Sequence, residues 1–151
     1  MAYKSKYKPQ NPAKCINCRL DVPIQCRSLW ERKLAEWCDR NPNITEWGSE
    51  TVVVPYICRT DLKQHRYFVD FQITFTNGQT FLIEVKPEKE TSEPRRNKSG
   101  RVTWRYKKDL MTYIKNYSKW EFARSFAKTK GWIFETWTEK HLQKLGLKIL
   151  T

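Results

Sequence analysis

Apolar residues first recur at helical spacing: Trp30, Leu34, Trp37 and Cys38 fall on one stripe and predict a helix from about Ser28 to Arg40, which Asn41-Pro42 stops. Val52-Val53-Val54 predicts a short buried strand. From His65 to Thr76 the period shortens to two, and Tyr67, Val69, Phe71, Ile73 and Phe75 line one face of a single long strand. Asn77-Gly78 is a hairpin signal, with Gln79 to Lys86 as the returning strand. After a polar loop over residues 87–101, Tyr106, Leu110, Tyr113, Ile114 and Tyr117 set a second helical stripe. Ser118-x-x-Glu121 reads as a capping box that opens a third helix, ended by Gly131. Trp132 to Trp137 reads as a strand, and Thr138 caps a last short helix. The predicted order is αβββα(α)βα, an α/β fold with a mixed central sheet flanked by helices.

Length and charge narrow this picture. The 151 residues suit one domain, expected over residues 26–151, behind an arm over residues 1–25. The arm carries Lys4, Lys6, Lys8, Lys14 and Arg19 against the single acid Asp21, with Pro9, Pro12 and Pro23 and no clear periodicity. Over the whole chain, 29 Lys and Arg against 16 Asp and Glu leave a net +13, a field that attracts polyanions. Nucleic acid is the expected partner. No apolar run approaches the ~18 residues of a membrane-spanning helix. The N-terminal stretch lacks the apolar region of a signal peptide, so a reducing cytoplasm is expected.

Cys15-x-x-Cys18, with Cys26 further on, could begin a zinc site. No second C-x-x-C or H-x₃-H pair follows to complete it, so zinc is not expected. His65 and His141 read as surface or packing residues, with nothing to pair with either.

The chemistry concentrates in Phe81-Leu82-Ile83-Glu84-Val85-Lys86. Strand periodicity puts Glu84 and Lys86 on one face and Phe81, Ile83 and Val85 on the other. Asp70 interrupts the aromatic strand that pairs with this one. Two carboxylates brought together in a sheet repel unless a cation lies between them, and an oxygen-rich site suits Mg²⁺ or Mn²⁺ rather than zinc.

Hairpin parity decides whether they can meet. A two-residue Asn77-Gly78 loop would pair Thr76 with Gln79 and leave Asp70 and Glu84 on opposite faces. A three-residue loop, Thr76-Asn77-Gly78, brings Asp70 opposite Glu84, with Gly78 suited to the left-handed position. The chemistry therefore predicts the three-residue loop, or a bulge with the same effect.

Asp70 with Glu84-Val85-Lys86, in this element order, resembles the PD-(D/E)xK nuclease superfamily, although Val69 stands where that motif has Pro. Met1-Ala2-Tyr3, Lys6-Tyr7-Lys8-Pro9, Arg27-Ser28-Leu29-Trp30-Glu31, His65 to Phe71 and Thr138-Glu139-Lys140 resemble the head-completion nucleases of T-even-like bacteriophages, a family related to the TnsA transposon endonuclease. The resemblance implies a Mg²⁺- or Mn²⁺-dependent DNA nuclease with Asp70, Glu84 and Lys86 in its active site. It implies that Asp70, Glu84 and the Val85 carbonyl hold the metal, and that a Glu on the first helix, Glu31 here, joins them. It further implies a role late in virion assembly, near the packaged DNA end, with portal or capsid partners, in the host cytoplasm and with the virion.

Glu31 has a second reading, because Ser28-x-x-Glu31 is itself a capping box that would occupy the carboxylate. Lys4, Lys6 and Lys8 in the arm, and Arg95, Arg96, Lys98, Arg101 and Arg105 after the Glu84 strand, are expected to hold the DNA backbone. A DNA-end or portal-binding protein that keeps a nuclease fold without activity is the competing function. Clustered carboxylates facing phosphate count against it.

Overall fold

A computed structural model of the chain describes residues 4–96 and 98–149. Met1-Ala2-Tyr3 and the last two residues of the expected domain lie outside that range, as does Asn97. In chain order the elements are β1 (Ser5–Tyr7), α1 (Ile16–Arg19), β2 (Ile24–Cys26), α2 (Leu29–Arg40), β3 (Ile44–Ser49) and β4 (Val53–Ile57). Then follow β5 (Gln64–Phe68), β6 (Phe71–Phe75), β7 (Thr80–Val85), α3 (Trp104–Thr129), β8 (Ile133–Trp137) and α4 (Glu139–Lys144).

The central sheet has the order β3-β6-β7-β8, antiparallel except for the β7–β8 pair, which is parallel and joined through α3. One face carries Phe71, Ile73 and Ile83 and packs on Leu34, Ala35 and Cys38 of α2 and on Leu142 of α4. The other carries Leu82 and Phe134 and packs on Trp120, Ala123 and Ala127 of α3 and on Val54, Tyr56 and Tyr67 of the β4–β5 hairpin. The α2 helix begins where the sequence predicts: Ser28 Oγ accepts the Glu31 N–H at 3.2 Å.

The β6–β7 loop has three residues. The Gly78 N–H donates to the Phe75 carbonyl and the Phe75 N–H to the Gln79 carbonyl, both at 2.9 Å, and Gly78 sits at φ +87°. Phe71 pairs with Ile83, so the register carried one step further sets Asp70 opposite Glu84.

Four expectations need correction. The single strand over His65–Thr76 is two, because the chain leaves one sheet and joins another at Val69-Asp70. Tyr67 and Val69 therefore pack with α3, while Phe71 and Ile73 pack with α2. The Val52–Val54 strand belongs to the separate β4–β5 hairpin, and the third core strand is β3. Thr45, Glu46 and Gly48 blur the apolar pattern of β3, although Trp47 is fully buried. The two helices after residue 101 are one of 26 residues. Ser118 does not cap there, because its hydroxyl donates to the Ile114 carbonyl at 2.9 Å, one turn back in the same helix.

The N-terminal arm is folded onto the domain over its described residues. Buried Asp39 accepts the Tyr7 hydroxyl and the backbone N–H groups of Gln10 and Asn11 at 2.7 and 3.0 Å. Buried Asn17 bonds both the N–H and the carbonyl of Ser49, at 2.8 and 2.9 Å. Those polar anchors, rather than an apolar stripe, fix the segment. Among its described residues, Tyr7, Cys15 and Ile24 enter the core, as does Cys26, which follows the arm.

Candidate active site

At the C-terminal end of β7 a cleft of about 1270 Å³ opens between α2, the β4–β5 hairpin, α3 and the segment after β7. It exceeds the ~300–1,000 Å³ of small-molecule pockets and suits part of a polymer. Glu31, Asp70, Glu84, Val85 and Lys86 all line it, so the sequence-predicted catalytic set converges there.

Glu84 is buried, on the same face of β7 as Leu82. Asp70 lies in the break between β5 and β6, where β7 has lost its ladder partner. Its Oδ2 accepts the Val85 N–H at 2.9 Å, and its own carbonyl accepts the Glu50 N–H at 3.1 Å. Burial, then the charge of Glu84, push the Asp70 carboxyl well above the ordinary carboxylate range.

Glu31 does two things at once. Its Oε2 accepts the Arg27 N–H at 2.7 Å, so it belongs to the start of α2 as a cap. It also lines the cleft, where burial first, with Glu50 and Glu84 adding to it, raises its pKa. Arg27 in turn pairs with Glu50 at 3.0 Å.

Val85 offers its carbonyl to the same side. The Lys86 N–H donates to the Trp137 carbonyl on β8 at 3.1 Å. In a trans peptide the Val85 C=O points the opposite way, away from β8 and toward Asp70.

Two further residues were not foreseen. Tyr67 presents a buried hydroxyl with no hydrogen-bond partner among the described residues. Burial raises its pKa, and the charges of Glu84 and Asp70 raise it further. Lys119 of α3 lines the cleft, with its ammonium 5.6 Å from the Tyr67 ring. Burial lowers its pKa while Glu84 and Asp70 act against that shift. Asn116, Trp120, Ala123 and Ala127 form the buried stripe of α3, and Lys119 lies on its border, partly buried. A lysine on the border of a buried stripe was the legible signal.

This donor set fits a hard divalent ion: two facing carboxylates, a main-chain carbonyl and an orphaned buried hydroxyl that a bound water could satisfy. Among the described residues no group of three or more His, Cys, Asp or Glu side chains is arranged to hold a metal ion. The ion would therefore keep several waters, as Mg²⁺ commonly does. Burial pushes the Cys15 and Cys26 thiols up to about 11.

The expected DNA-binding residues lie elsewhere. Lys4, Lys6, Lys8, Arg95, Arg96, Lys98, Arg101 and Arg105 are exposed and none lines the cleft. The basic residues that do are Arg27, Arg66, Lys86, Lys89 and Lys119. His65 has a partner after all: its Nε2 lies 2.7 Å from Asp61 Oδ2, away from the cleft. His141 stacks on Trp137, with ring centroids 4.2 Å apart.

Sequence comparison decides the family. The profile described as TnsA-like endonuclease N terminal matches residues 41–139, which include Asp70, Glu84, Lys86 and Lys119. The chain belongs to the TnsA-like endonuclease family. It is also 42% identical over 153 aligned residues to the head completion nuclease of Enterobacteria phage T4, covering 98% of this chain and 99% of that protein. The central sheet with α2, α3 and α4 is accordingly the restriction-endonuclease-like core of such an enzyme, and the β4–β5 hairpin is inserted between its first two strands. The match begins at residue 41, so Glu31 and the N-terminal segment lie before it.

Proposed function

We propose that this protein is a Mg²⁺- or Mn²⁺-dependent deoxyribonuclease that cuts DNA internally during completion of phage heads, at or near the packaged DNA end. The observation that carries the reading is the meeting of Asp70, Glu84 and Lys86 at one end of β7, in a cleft of polymer size. The name of the T4 relative supports the setting.

Asp70, Glu84 and the Val85 carbonyl would hold the ion, with Glu31 as a further ligand or a water-positioning group. Bound there, a divalent cation polarises the phosphate and lowers the pKa of its water. Lys86 follows Glu84 on the same face of the chain, and its ammonium orients the attacking water and offsets charge that develops on the phosphate. Burial of the carboxylates excludes bulk water and strengthens these interactions. Lys4, Lys6, Lys8, Arg95, Arg96, Lys98, Arg101 and Arg105 hold the backbone on either side of the cut, outside the cleft. The protein acts in the host cytoplasm during assembly and stays with the virion, with portal or capsid proteins as partners.

The test is an assay of the purified protein on linear, circular and branched DNA in Mg²⁺, Mn²⁺ or EDTA. Cleavage of circles with either metal and none in EDTA is expected. Cleavage indifferent to EDTA would contradict the metal. Binding without cleavage in every condition would favour a non-catalytic DNA-end or portal-binding protein.

A further inference from the structure

We propose that Lys119 is a second substrate-contacting cation of the active site, donating to a non-bridging oxygen of the phosphodiester that is cut. The proposal rests on the nuclease reading and adds a residue to it.

The helix itself makes Lys119 unusual. Its neighbours Asn116, Trp120 and Ala123 are buried, so this partly covered position borders the inward face, where an apolar side chain would contribute more to packing. Its ammonium is nevertheless in no ion pair among the described residues; its ring contact is with Tyr67. A half-covered cation without a carboxylate within pairing distance does little for the fold. It does, however, line the same cleft as Asp70, Glu84 and Lys86.

Charge explains what it waits for. In the protein alone, Glu84 and Asp70 attract the ammonium from a distance, and Lys115 and Lys86 repel it. A divalent cation held between the two carboxylates would cancel their charge. Lys86 and Lys119 would then both face a centre whose two carboxylates are neutralised, with Glu31, Glu88, Glu90 and Glu139 as the other acids lining the cleft. A phosphodiester entering the cleft offers both ammoniums an anion at that centre. Lys86, two residues after Glu84 in the chain, approaches from the end of β7, whereas Lys119 approaches from α3. They can therefore hold different oxygens of one phosphate. The Tyr67 ring lies beside Lys119 and limits where its head can swing.

The experiment compares wild type with Lys119→Met, Lys119→Arg and Lys119→Ala. Lys119→Met keeps most of the apolar volume, so its unfolding midpoint should equal or exceed that of wild type. Single-turnover cleavage at saturating DNA should fall by about 100-fold in Lys119→Met and in Lys119→Ala, the scale of removing one donor to developing negative charge. Lys119→Arg should recover most of that loss. The second readout is affinity for a duplex oligonucleotide, measured against salt in Ca²⁺ without turnover. Removing a single phosphate-binding ammonium should flatten the log–log slope by roughly 0.9. Wild-type cleavage by Lys119→Met overturns the proposal. So does impaired cleavage with lowered stability and an unchanged salt slope, which would make Lys119 structural. If wild type itself cuts nothing, the nuclease reading is what fails, and the salt slope alone decides whether Lys119 meets phosphate.

Discussion

Asp70 completes the edge of β7 by accepting the Val85 N–H at 2.9 Å, in the position where a strand partner would otherwise stand. β6 starts only at Phe71, so the carboxylate takes the place of the missing backbone acceptor. One hydrogen bond thus fixes the orientation of the Asp70 carboxyl, which faces Glu84 because the β6–β7 loop has three residues.

That loop gives the first prediction. Gly78→Ala puts a Cβ at φ +87° and should lower stability by about 1 kcal/mol, the usual penalty for a left-handed residue, with space for the methyl itself. Activity per folded molecule should persist, because the register stays. Deleting Asn77 leaves a two-residue Thr76-Gly78 loop closed by the same Phe75–Gln79 pair, so Asp70 should stay opposite Glu84 and folded protein should keep its cleavage. Urea melts and a cleavage assay check both. A deletion variant that folds but does not cut would mean that the loop does more than set the register.

Glu31 separates into its two roles by mutation. Glu31→Gln keeps an oxygen for the Arg27 N–H and should change stability little while cleavage falls at least about tenfold. Ser28→Ala removes the acceptor for the Glu31 N–H and should cost about 1 kcal/mol with cleavage retained. If both variants are merely less stable, Glu31 is only a cap.

The pH dependence has a definite sign. Burial and Glu84 raise the folded-state pKa of Asp70, so its contribution to stability is present below the unfolded pKa and lost as pH rises through the folded value. In EDTA, wild type should lose stability from acid toward neutral pH, relative to Asp70→Asn, which lacks this titration. Mg²⁺ should reverse the loss at neutral pH by binding the folded state. Parallel pH profiles for the two proteins would contradict the assignment of that strain to Asp70.

How much of this was legible depended on what holds each part. Asp70, Glu84 and Lys86 could be read because strand alternation and hairpin parity are local rules, and parity combined with the need for two carboxylates on one face predicted the loop. The break at Val69-Asp70 could not, because alternation continues unchanged while the chain passes from one sheet to another. The β3 strand and the N-terminal segment were missed for a related reason. Trp47, Asp39 and Asn17 anchor them through long-range packing and hydrogen bonds that leave no period in the sequence. Lys119 sat in plain view as a charge bordering a buried stripe, and only the cleft gave it a meaning.

The exposed basic residues should control affinity rather than chemistry. Replacing Arg95, Arg96 and Lys98 with Ala should flatten the salt dependence of DNA binding by up to about 0.9 for each phosphate no longer neutralised, and leave the cleavage rate at saturation near wild type. Titration of a fluorescent duplex against salt checks this. An unchanged slope would put the DNA on another face.

The most direct test of the account is the comparison of cleavage with binding for Asp70→Asn and Lys86→Ala in Mg²⁺ or Mn²⁺. Neither substitution touches the exposed basic residues, so both variants should bind duplex DNA within a few-fold of wild type. Each should lose cleavage by at least ~100-fold, because metal holding and charge stabilisation act on the transition state. Full cleavage by either variant would contradict the active site built on Asp70, Glu84 and Lys86.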